Sequence, residues 1–431
     1  MPHGKGYKST TKDSKPRKAP SKPTKKQEPE QTIPKTSHTI TSLPLELQQS
    51  LLNIFNYTFP HLLNPSASQD IFKPLLQELK GHLFDRNFAA AFGKKEYLEV
   101  YAARWSPSRA LGYSEILKEA IGQLGPADSA GNEGVKNNEV RIICLGGGAG
   151  AEIVGLAGAH VRLNDAQSTK KKIPDKQNLD TPASDGPQND DDTTTPATPP
   201  PSSIPSPPTL NFDITLIDIA DWSTISASLH NALTTPPQLS SYASEAAKAA
   251  SKALAPASQF HARFIQQDVI SPSFSISSVL SPSPMPPSSQ PPSTLVTLMF
   301  TLNELYTTSL PRTQTLLINL TLSLPSGSLL LIVDSPGSYS TVTINNNEKK
   351  YPMLWLLEHT LFTPLPQTIA DMEEDGLKNG AGEGKPVGTK TKECWEKVVG
   401  EESRWFRLPE GLRYPIELEN MRCQMHLYRR V

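Results

Sequence analysis

The sequence has little cysteine and no long apolar run. Its three cysteines, Cys144, Cys394 and Cys423, lack the spacing of a metal site and cannot form a disulfide framework. We therefore expect a reducing, intracellular environment and no bound metal. No apolar stretch approaches the roughly 20 residues that a membrane-spanning helix needs. The N-terminus also lacks the apolar segment of a secretory signal, so no membrane association is expected.

The chain also has almost no net charge, but its positive and negative residues are unevenly distributed along the sequence. Lys and Arg total 42 and Asp and Glu total 43, which gives a formal charge of -1. Residues 1–40 are nevertheless strongly basic, whereas the tract around Asp190–Asp192 is acidic. We predict that residues 1–40 form a disordered basic tail. It serves as a nuclear or nucleolar address, or as an arm that contacts RNA phosphates; the alternative is a solubilising tail.

Proline is abundant and clustered. The chain contains 41 prolines, and clustering of this kind is typical of folded blocks interrupted by low-complexity segments. We expect disordered inserts near residues 165–209, 281–294 and 366–390. Between residues 41 and 125, apolar residues recur at helical spacing, which predicts a helical N-terminal region. Pro107 is expected to start or interrupt a helix there.

From residue 139 onward, short apolar runs alternate with helical patterns. The predicted strands are 140–145, 212–217, 262–267, 294–300 and 328–333, with a last strand within Met421–Arg430 and a terminal pair formed by Arg404–Leu408 and Cys423–Tyr428. The predicted helices are Ala151–Leu163, Ser223–Leu233, Tyr242–Leu254 and Trp355–Phe362. This alternation predicts an α/β domain over 139–431, with a Rossmann-like, doubly wound, mostly parallel seven-stranded sheet.

A glycine-rich loop follows the first predicted strand. Gly146, Gly147, Gly148 and Gly150 lie between Cys144 and the next helix. Glycine lets the backbone turn sharply and approach a ligand closely, and the N-terminus of the helix would point free N–H groups at that ligand. A glycine-rich loop alone is a weak signal, because many structural turns have the same composition.

Asp218 and Ile219 follow the second predicted strand. In such folds an acid at this point receives the ribose hydroxyls, about 20 residues after the glycine loop. The longer gap here is explained by the low-complexity insert, since loop-closure entropy grows only slowly with length. The alternative is that Asp218 caps the following helix.

Polar residues also follow the third and fourth predicted strands. Asp268, followed by Val269, is placed to accept a hydrogen bond from an adenine amino group, although Asp is also common in turns. Asn303 and Glu304 lie at the carboxyl edge of the sheet, where open α/β sheets bind ligands. They would also suit the first turn of a helix. Together, four strand ends that each carry a group suited to a nucleoside favour a nucleoside-binding pocket.

S-adenosylmethionine (SAM) is the predicted cofactor, in preference to a nicotinamide dinucleotide. The carboxylate of Glu152 would repel a pyrophosphate but would suit the ammonium group of SAM. No obvious hydride-transfer His or Tyr–Lys pair accompanies the sheet.

Cys144 lies within a buried strand, where it acts as a small apolar residue, and this disfavours methylation through a covalent cysteine adduct.

Four motifs resemble those of class I SAM-dependent methyltransferases. They are Cys144–Glu152, Phe212–Trp222, Gln266–Val269 and Thr301–Tyr306. More narrowly, Lys80–Phe88, Tyr101–Tyr113 with its Arg104–Arg109 block, Asp218–Trp222 and Thr301–Tyr306 resemble the fungal 25S rRNA uridine-N3 methyltransferases. The similarity covers roughly residues 40–163, 210–340 and the C-terminal strands, with the inserts falling between motifs.

This resemblance implies methyl transfer to N3 of a uridine in large-subunit (25S) ribosomal RNA. The implied partner is the pre-ribosome, and the implied location is the nucleus, within the nucleolus. The imide of uracil must lose its N3 proton, for which Glu304 is the candidate base, with Asn303 holding the edge of the base. The acceptor base must be unstacked or single-stranded.

Other residues are candidates for contacts with RNA or cofactor. Trp105, Tyr113 and Tyr306 are possible stacking platforms for bases, although ordinary aromatic packing is the alternative. Arg104 and Arg109 could bind the carboxylate of the cofactor or an RNA phosphate; the alternative is an ion pair of little energetic consequence.

Two other functions remain open. The chain could be a non-catalytic ribosome-assembly factor on the same fold, since fold alone does not establish activity. It could also be a small-molecule methyltransferase, for which a basic tail would have no use. A monomer is the default expectation.

Overall fold

The structure is a computed structural model. It describes residues 43–64, 68–124, 138–170, 209–237, 242, 244–246, 251–281, 292–344, 347–363 and 393–431. Within these ranges, no helix is long and apolar enough to cross a membrane. The basic segment 1–40, most of the predicted insert at 165–209, the core of the insert at 281–294 and all of the insert at 366–390 lie outside the described residues.

The region predicted to be helical is helical. It consists of α1 (Leu45–Thr58), α2 (Pro60–Leu63), α3 (Lys73–Phe84, preceded by a π-helical turn at Ser68–Phe72), α4 (Phe88–Ala91) and α5 (Lys95–Gly122). Helix α1 is amphipathic, since Leu47, Leu51 and Phe55 recur on one face and are all buried. Asn87 caps α4 by accepting a hydrogen bond from the backbone N–H of Ala90 at 3.2 Å.

Pro107 lies inside α5 and neither starts nor ends a helix, so that expectation was wrong. Proline lacks an N–H, and in a helix interior it leaves the carbonyl four residues earlier without its usual donor. Here that carbonyl belongs to Ala103, which accepts a hydrogen bond of 2.9 Å from the hydroxyl of Tyr414. A distant side chain therefore supplies the missing donor and lets the helix continue.

The strands form the predicted seven-stranded sheet and one additional hairpin. They are β1 (Glu139–Leu145), β2 (Asn211–Asp218), β3 (Phe260–Gln266), β4 (Ser293–Met299), β5 (Leu329–Asp334), β6 (Tyr339–Ile344), β7 (Asn347–Pro352), β8 (Trp395–Phe406) and β9 (Met421–Arg430). The sheet order is β3-β2-β1-β4-β5-β9-β8. Strands β1 to β5 pair in parallel, while β9 and β8 are antiparallel. The fold class is therefore confirmed.

The helices that follow α5 flank this sheet. They are α6 (Ala151–Lys170), α7 (Ser223–Thr234), α8 (Ile276–Leu280), α9 (Leu302–Thr308), α10 (Leu310–Ser323) and α11 (Met353–Leu361). Alternate side chains of strand β1 pack into the cores on the two faces of the sheet. Ile142 and Cys144 point into the core shared with α1, α5, α6 and α7, whereas Ile143 and Leu145 point into the core shared with α9, α10 and α11.

Several elements differ from the expectations, among them β8, which spans Trp395–Phe406 and not Arg404–Leu408. Helix α6 continues to Lys170, so the insert begins later than expected. The side chain of Asn164 accepts a hydrogen bond of 2.9 Å from the N–H of Leu210, which ties this extended helix to the approach of β2. Residues 251–254 are not helical. The adjoining Ala255 instead donates to the carbonyl of Leu233 at the end of α7. The β6–β7 hairpin was not anticipated.

Candidate functional site

The glycine loop connects β1 to α6 at the point where the strand order reverses, between β1 and β4. Gly146 and Gly150 have φ angles of +82° and +95°, which L side chains rarely adopt. The N–H of Gly146 donates to the carbonyl of Ile217 at 2.7 Å, so the loop is fixed to the end of β2. Ligands of open α/β sheets bind in the crevice at such a switch point.

The neighbours of the loop show why side chains are not tolerated there. A Cβ added at Gly148 would collide with the indole ring of Trp222, and one added at Gly146 would collide with Thr301. These two residues follow β2 and β4. The loop is therefore held closely between the neighbouring strand ends.

Asp218 ends β2 beside the loop. Its Oδ1 accepts a hydrogen bond of 3.0 Å from the N–H of Ala220. Burial raises the pKa of this carboxyl above its usual value, and backbone N–H groups of Ala220, Gly148 and Ile219 oppose that rise. Asp218 does not cap α7, because the N-cap position is Trp222. A carboxylate here suits the ribose hydroxyls of a nucleoside.

Ile219 and Asp268, the other predicted nucleoside contacts, follow β2 and β3. The side chain of Ile219 is 66% exposed, so it offers an apolar surface next to Asp218 that suits one face of an adenine. Asp268 follows β3, and its Oδ1 accepts a hydrogen bond of 3.0 Å from the N–H of Ile270. This turn leaves the second carboxyl oxygen available for an amino group, while Val269 is buried.

Glu152 lies in the first turn of α6 and is buried. Burial raises the pKa of its carboxyl to about 7, with a further contribution from the charge of Asp218 and an opposing one from Arg109. A buried carboxylate is stabilised by a nearby cation. The ammonium group of SAM would supply such a cation, and the role predicted for Glu152 stays a prediction.

Arg109 projects from α5 toward the end of β4. Its Nη1 donates a hydrogen bond of 2.9 Å to the hydroxyl of Tyr101, and its guanidinium lies 5.4 Å from the ring centroid of Phe300. Phe300 has a φ of +57°, and its ring stacks on Tyr113 at 6.3 Å. Strained backbones of this kind cluster at binding and catalytic sites.

Four aromatic residues form a cluster next to the glycine loop, defined here as Phe92, Tyr101, Trp105 and Trp222. Tyr101 lies 4.9 Å from Trp105 and 5.8 Å from Trp222, measured between ring centroids. Phe92 lies 5.7 Å from Trp222. Trp105 is only partly buried, so it retains the possibility of stacking on a ligand.

Asn303 and Glu304 lie in the first turn of α9, and neither side chain caps the helix. The Oδ1 of Asn303 accepts a hydrogen bond of 3.1 Å from the hydroxyl of Ser340, while its N–H donates to Asp334 at 3.2 Å. Glu304 is partly exposed, and both of its carboxyl oxygens lie 2.8 Å from Nη2 of Arg86. Asn303 is therefore firmly positioned, and Glu304 lies at the open rim.

Three predicted contacts with RNA are not supported. Arg104 is buried, donates to the carbonyl of Glu417 at 3.2 Å and pairs with Glu419, so it joins α5 to the segment before β9. Tyr306 is 1% exposed and belongs to the core beneath α9. Tyr113 is also 1% exposed. The packing alternative therefore applies to both tyrosines, since neither presents a ring face to solvent.

Four residues of this region were not identified as site residues from the sequence: Arg86, Tyr101, Trp222 and Phe300. Trp222 and Tyr101 lie within two of the motifs noted above. Their closeness in sequence to Asp218 and Trp105 could have identified them as site residues. For Phe300 the signal would have been its position immediately after an apolar strand. Arg86 stood within the Lys80–Phe88 motif, but its partner Glu304 is 218 residues away, so nothing in the sequence indicated the contact between them.

Sheet order, glycine loop and strand-end carboxylates together define a class I fold that binds a nucleoside-containing cofactor at the β1/β4 crevice. The residues fit SAM, because the loop backbone, Asp218, exposed Ile219 and buried Glu152 match its ribose, adenine and ammonium groups. Residues 55–429 match the model of a family of SAM-dependent methyltransferases, and the chain belongs to this family. SAM is therefore the cofactor, as predicted. Among the described residues, no cluster of three or more metal-ligating side chains is found.

Known proteins give further likenesses. A protein of Saccharomyces cerevisiae named 25S rRNA (uridine(2843)-N(3))-methyltransferase is 28% identical over 404 residues, which cover 91% of this chain and 87% of the relative. A SAM-dependent methyltransferase of Methanosarcina mazei covers 68% of this chain and 92% of its own, with 8% identity and a TM-score of 0.28. SCL7 of Oryza sativa covers 90% of this chain and 100% of its own, with 12% identity and a TM-score of 0.31. Structural likenesses this low add nothing to the family match.

Proposed function

We propose that this methyltransferase transfers the methyl group of SAM to N3 of a uridine in large-subunit ribosomal RNA. The observation that carries the proposal is the similarity to the yeast 25S rRNA uridine-N3 methyltransferase, which extends over 91% of this chain. It therefore includes the N-terminal helices α1 to α5, which contribute Arg109 and the aromatic cluster, as well as the sheet.

The chemistry at the rim of the crevice is compatible with this acceptor. N3 of uracil carries a proton that must leave before or during attack on the methyl group. SAM supplies an electrophilic methyl group attached to a sulfonium, and Glu304 is our candidate for the group that accepts the N3 proton. The side chain of Glu304 is 40% exposed, so an RNA base can approach it from solvent. Asn303, held by Ser340, is the candidate for holding the edge of the base.

The acceptor base needs a surface that replaces stacking in RNA. Trp105 from the aromatic cluster is our candidate, and Arg109 is the candidate for binding the carboxylate of the cofactor, because its guanidinium faces Phe300 next to the glycine loop. Single-stranded bases commonly stack on aromatic side chains. A uridine in a loop or bulge of the RNA is therefore the expected target.

A role in ribosome biogenesis, in the nucleus and within it the nucleolus, belongs to the same proposal. The basic residues of segment 1–40 would provide the address or contact RNA phosphates. The pre-ribosome is the proposed partner.

Complementation tests the proposed acceptor. A yeast strain that lacks the similar 25S rRNA methyltransferase would express this protein, and N3-methyluridine would be measured in its 25S rRNA by nucleoside mass spectrometry. We expect the wild-type chain to restore the modified nucleoside and Glu304→Gln to abolish it. A matched control is Arg312→Ala, which removes an exposed arginine from α10 and should restore the nucleoside as the wild type does.

The result separates this function from the alternatives. If the wild-type chain is present in the nucleus and binds SAM by titration calorimetry, but N3-methyluridine stays absent, the uridine-N3 proposal fails. A protein that also fails to bind SAM would fit the non-catalytic assembly factor. Tight binding to rRNA fragments that weakens with salt distinguishes an RNA enzyme from a small-molecule methyltransferase.

A further inference from the structure

The turn between α3 and α4 brings Arg86 to the rim of the crevice. The Nη2 atom of Arg86 lies 2.8 Å from both carboxyl oxygens of Glu304. Its Nη1 and Nε atoms have no hydrogen-bond partner among the described residues. The arginine side chain is 56% exposed. The guanidinium thus touches the candidate proton acceptor while keeping further donors available to a ligand.

The backbone of Arg86 has a left-handed conformation. Its φ is +53°, and among the described non-glycine residues only Arg86 and Phe300 have positive φ. Phe300 lies at the end of β4, just before Asn303 and Glu304. This conformation ends α3: the N–H of Asn87 donates to the carbonyl of His82 at 2.9 Å and the N–H of Arg86 to the carbonyl of Leu83 at 3.1 Å, which is the pattern of a Schellman C-cap. The helix cap accounts for the positive φ of Arg86, and it turns the chain at the point where the side chain of Arg86 meets Glu304.

Exposed aromatic side chains flank this arginine. Phe84 is 88% exposed and Phe88 is 39% exposed, and they stand on either side of the turn. Phe88 also stacks on Phe92 with ring centroids 6.3 Å apart, and both Phe84 and Phe88 remain at least partly exposed. Next to a cation at an RNA-modifying site, they suit stacking with nucleobases. The segment Phe84–Phe88 therefore has the chemistry of an RNA-contacting element.

We propose that Arg86 is a catalytic residue that binds a carbonyl oxygen beside N3 of the acceptor uracil and stabilises the negative charge that develops there. This inference rests on the proposed uridine-N3 methylation and adds a group that recognises the acceptor. Uracil has a carbonyl on each side of N3, so both of its orientations offer Arg86 an acceptor. Cytosine has an amino group on one side, which would face the donors of Arg86.

The charges balance in this step. The N3 proton moves to the Glu304 carboxylate, the N3 electron pair forms the bond to the methyl carbon, and the carbon–sulfur bond breaks with its electrons remaining on sulfur. Before proton transfer the negative charge is on Glu304, and afterwards it is on the imide, delocalised over its oxygens. Arg86 neutralises the charge in both states, because it can contact the carboxylate and the base in turn.

The test compares two acceptors with different imide acidity. Purified wild type, Arg86→Ala and Arg86→Lys are assayed on an RNA fragment that carries the target uridine, and on the same fragment with 5-fluorouridine at that position. The fluorine makes the imide more acidic. We expect Arg86→Ala to lower kcat on uridine about 100-fold, to lose much less on 5-fluorouridine, and to recover as the pH rises. Arg86→Lys should lose less, because it keeps the charge.

Arg312→Ala is the control, and circular dichroism establishes that each variant is folded. Equal losses by Arg86→Ala on both acceptors, with an unchanged pH profile, would overturn the proposal and leave Arg86 as a tether between two segments. An unchanged kcat would overturn it as well. A wild-type protein that binds SAM but methylates neither fragment would instead overturn the uridine-N3 function itself, so the two failures are distinguishable. If Arg86→Ala does not fold, the same comparison is made with Arg86→Lys.

Discussion

The hydroxyl of Tyr414 donates a 2.9 Å hydrogen bond to the carbonyl oxygen of Ala103, the group that Pro107 leaves without a helical donor. This contact lets α5 run unbroken from Lys95 to Gly122. The helix then carries both Tyr101 and Arg109 to the crevice.

Removing that hydroxyl should destabilise the protein. We expect Tyr414→Phe to lower the free energy of unfolding by about 1–2 kcal/mol, because a buried carbonyl loses its partner. In a Pro107→Ala background the helix regains an N–H for Ala103, so the same substitution should have a much smaller effect. Denaturant titration of the four proteins measures this coupling. Equal effects of Tyr414→Phe in both backgrounds would contradict the assignment.

Glu152 makes stability depend on pH. Burial raises the pKa of its carboxyl to about 7 from an ordinary value of 4.5. Between these values the folded state holds a proton that the unfolded state has released, so stability falls as the pH rises through this window. Above it the loss is at most about 3 kcal/mol.

Glu152→Gln should therefore be more stable than the wild type at about pH 8 and equal to it at about pH 4. Thermal unfolding without SAM measures the difference, with the exposed Glu402→Gln as control. Saturating SAM should reverse the order at the higher pH, because the ammonium group then stabilises the carboxylate of the wild type. A difference that does not change with pH would show that Glu152 does not titrate as described.

Gly148 should be essential for cofactor binding because of its close contact with Trp222. Gly148→Ala places a Cβ against the indole ring, and we expect SAM affinity to fall roughly tenfold or more, which is about 1.4 kcal/mol. Gly81→Ala is the matched control, since nothing lies within 4 Å of its added Cβ. It should leave SAM binding unchanged and stabilise α3 by about 1 kcal/mol. If calorimetric titration finds normal SAM affinity for Gly148→Ala, close packing of the loop against Trp222 is not required for cofactor binding.

The strain at Phe300 predicts an unusual order of stabilities. Its φ of +57° suits glycine, so Phe300→Gly should be more stable than Phe300→Ala by about 1 kcal/mol. At Phe92, where φ is -113°, the same pair of substitutions should show the opposite order. Denaturant unfolding of the four variants measures both differences. Alanine more stable than glycine at both positions would argue against a strained Phe300.

The sequence was sufficient to predict the sheet and the SAM cofactor. Apolar runs ended in Gly146, Asp218 and Asp268, and parallel strands necessarily bring such ends to one edge. These features are local, so spacing and composition reveal them.

What could not be predicted depends on contacts between distant segments. Pro107 was expected to break a helix, because the donor that rescues Ala103 comes from Tyr414 near the other end of the chain. The burial of Tyr113 and Tyr306 depends on which helix face the sheet covers. Arg86 lies within the Lys80–Phe88 motif, but it was not singled out, because its significance rests on its contact with the distant Glu304.

The central claim is tested most directly with purified protein, isotope-labelled SAM and fragments of large-subunit rRNA transcribed without modifications. Digestion and nucleoside mass spectrometry then show which base carries the label. We predict labelled N3-methyluridine at a single-stranded uridine, and none when Glu304→Gln replaces the wild type. Label on another base, or no label from a protein that binds SAM and RNA, would contradict the proposed function.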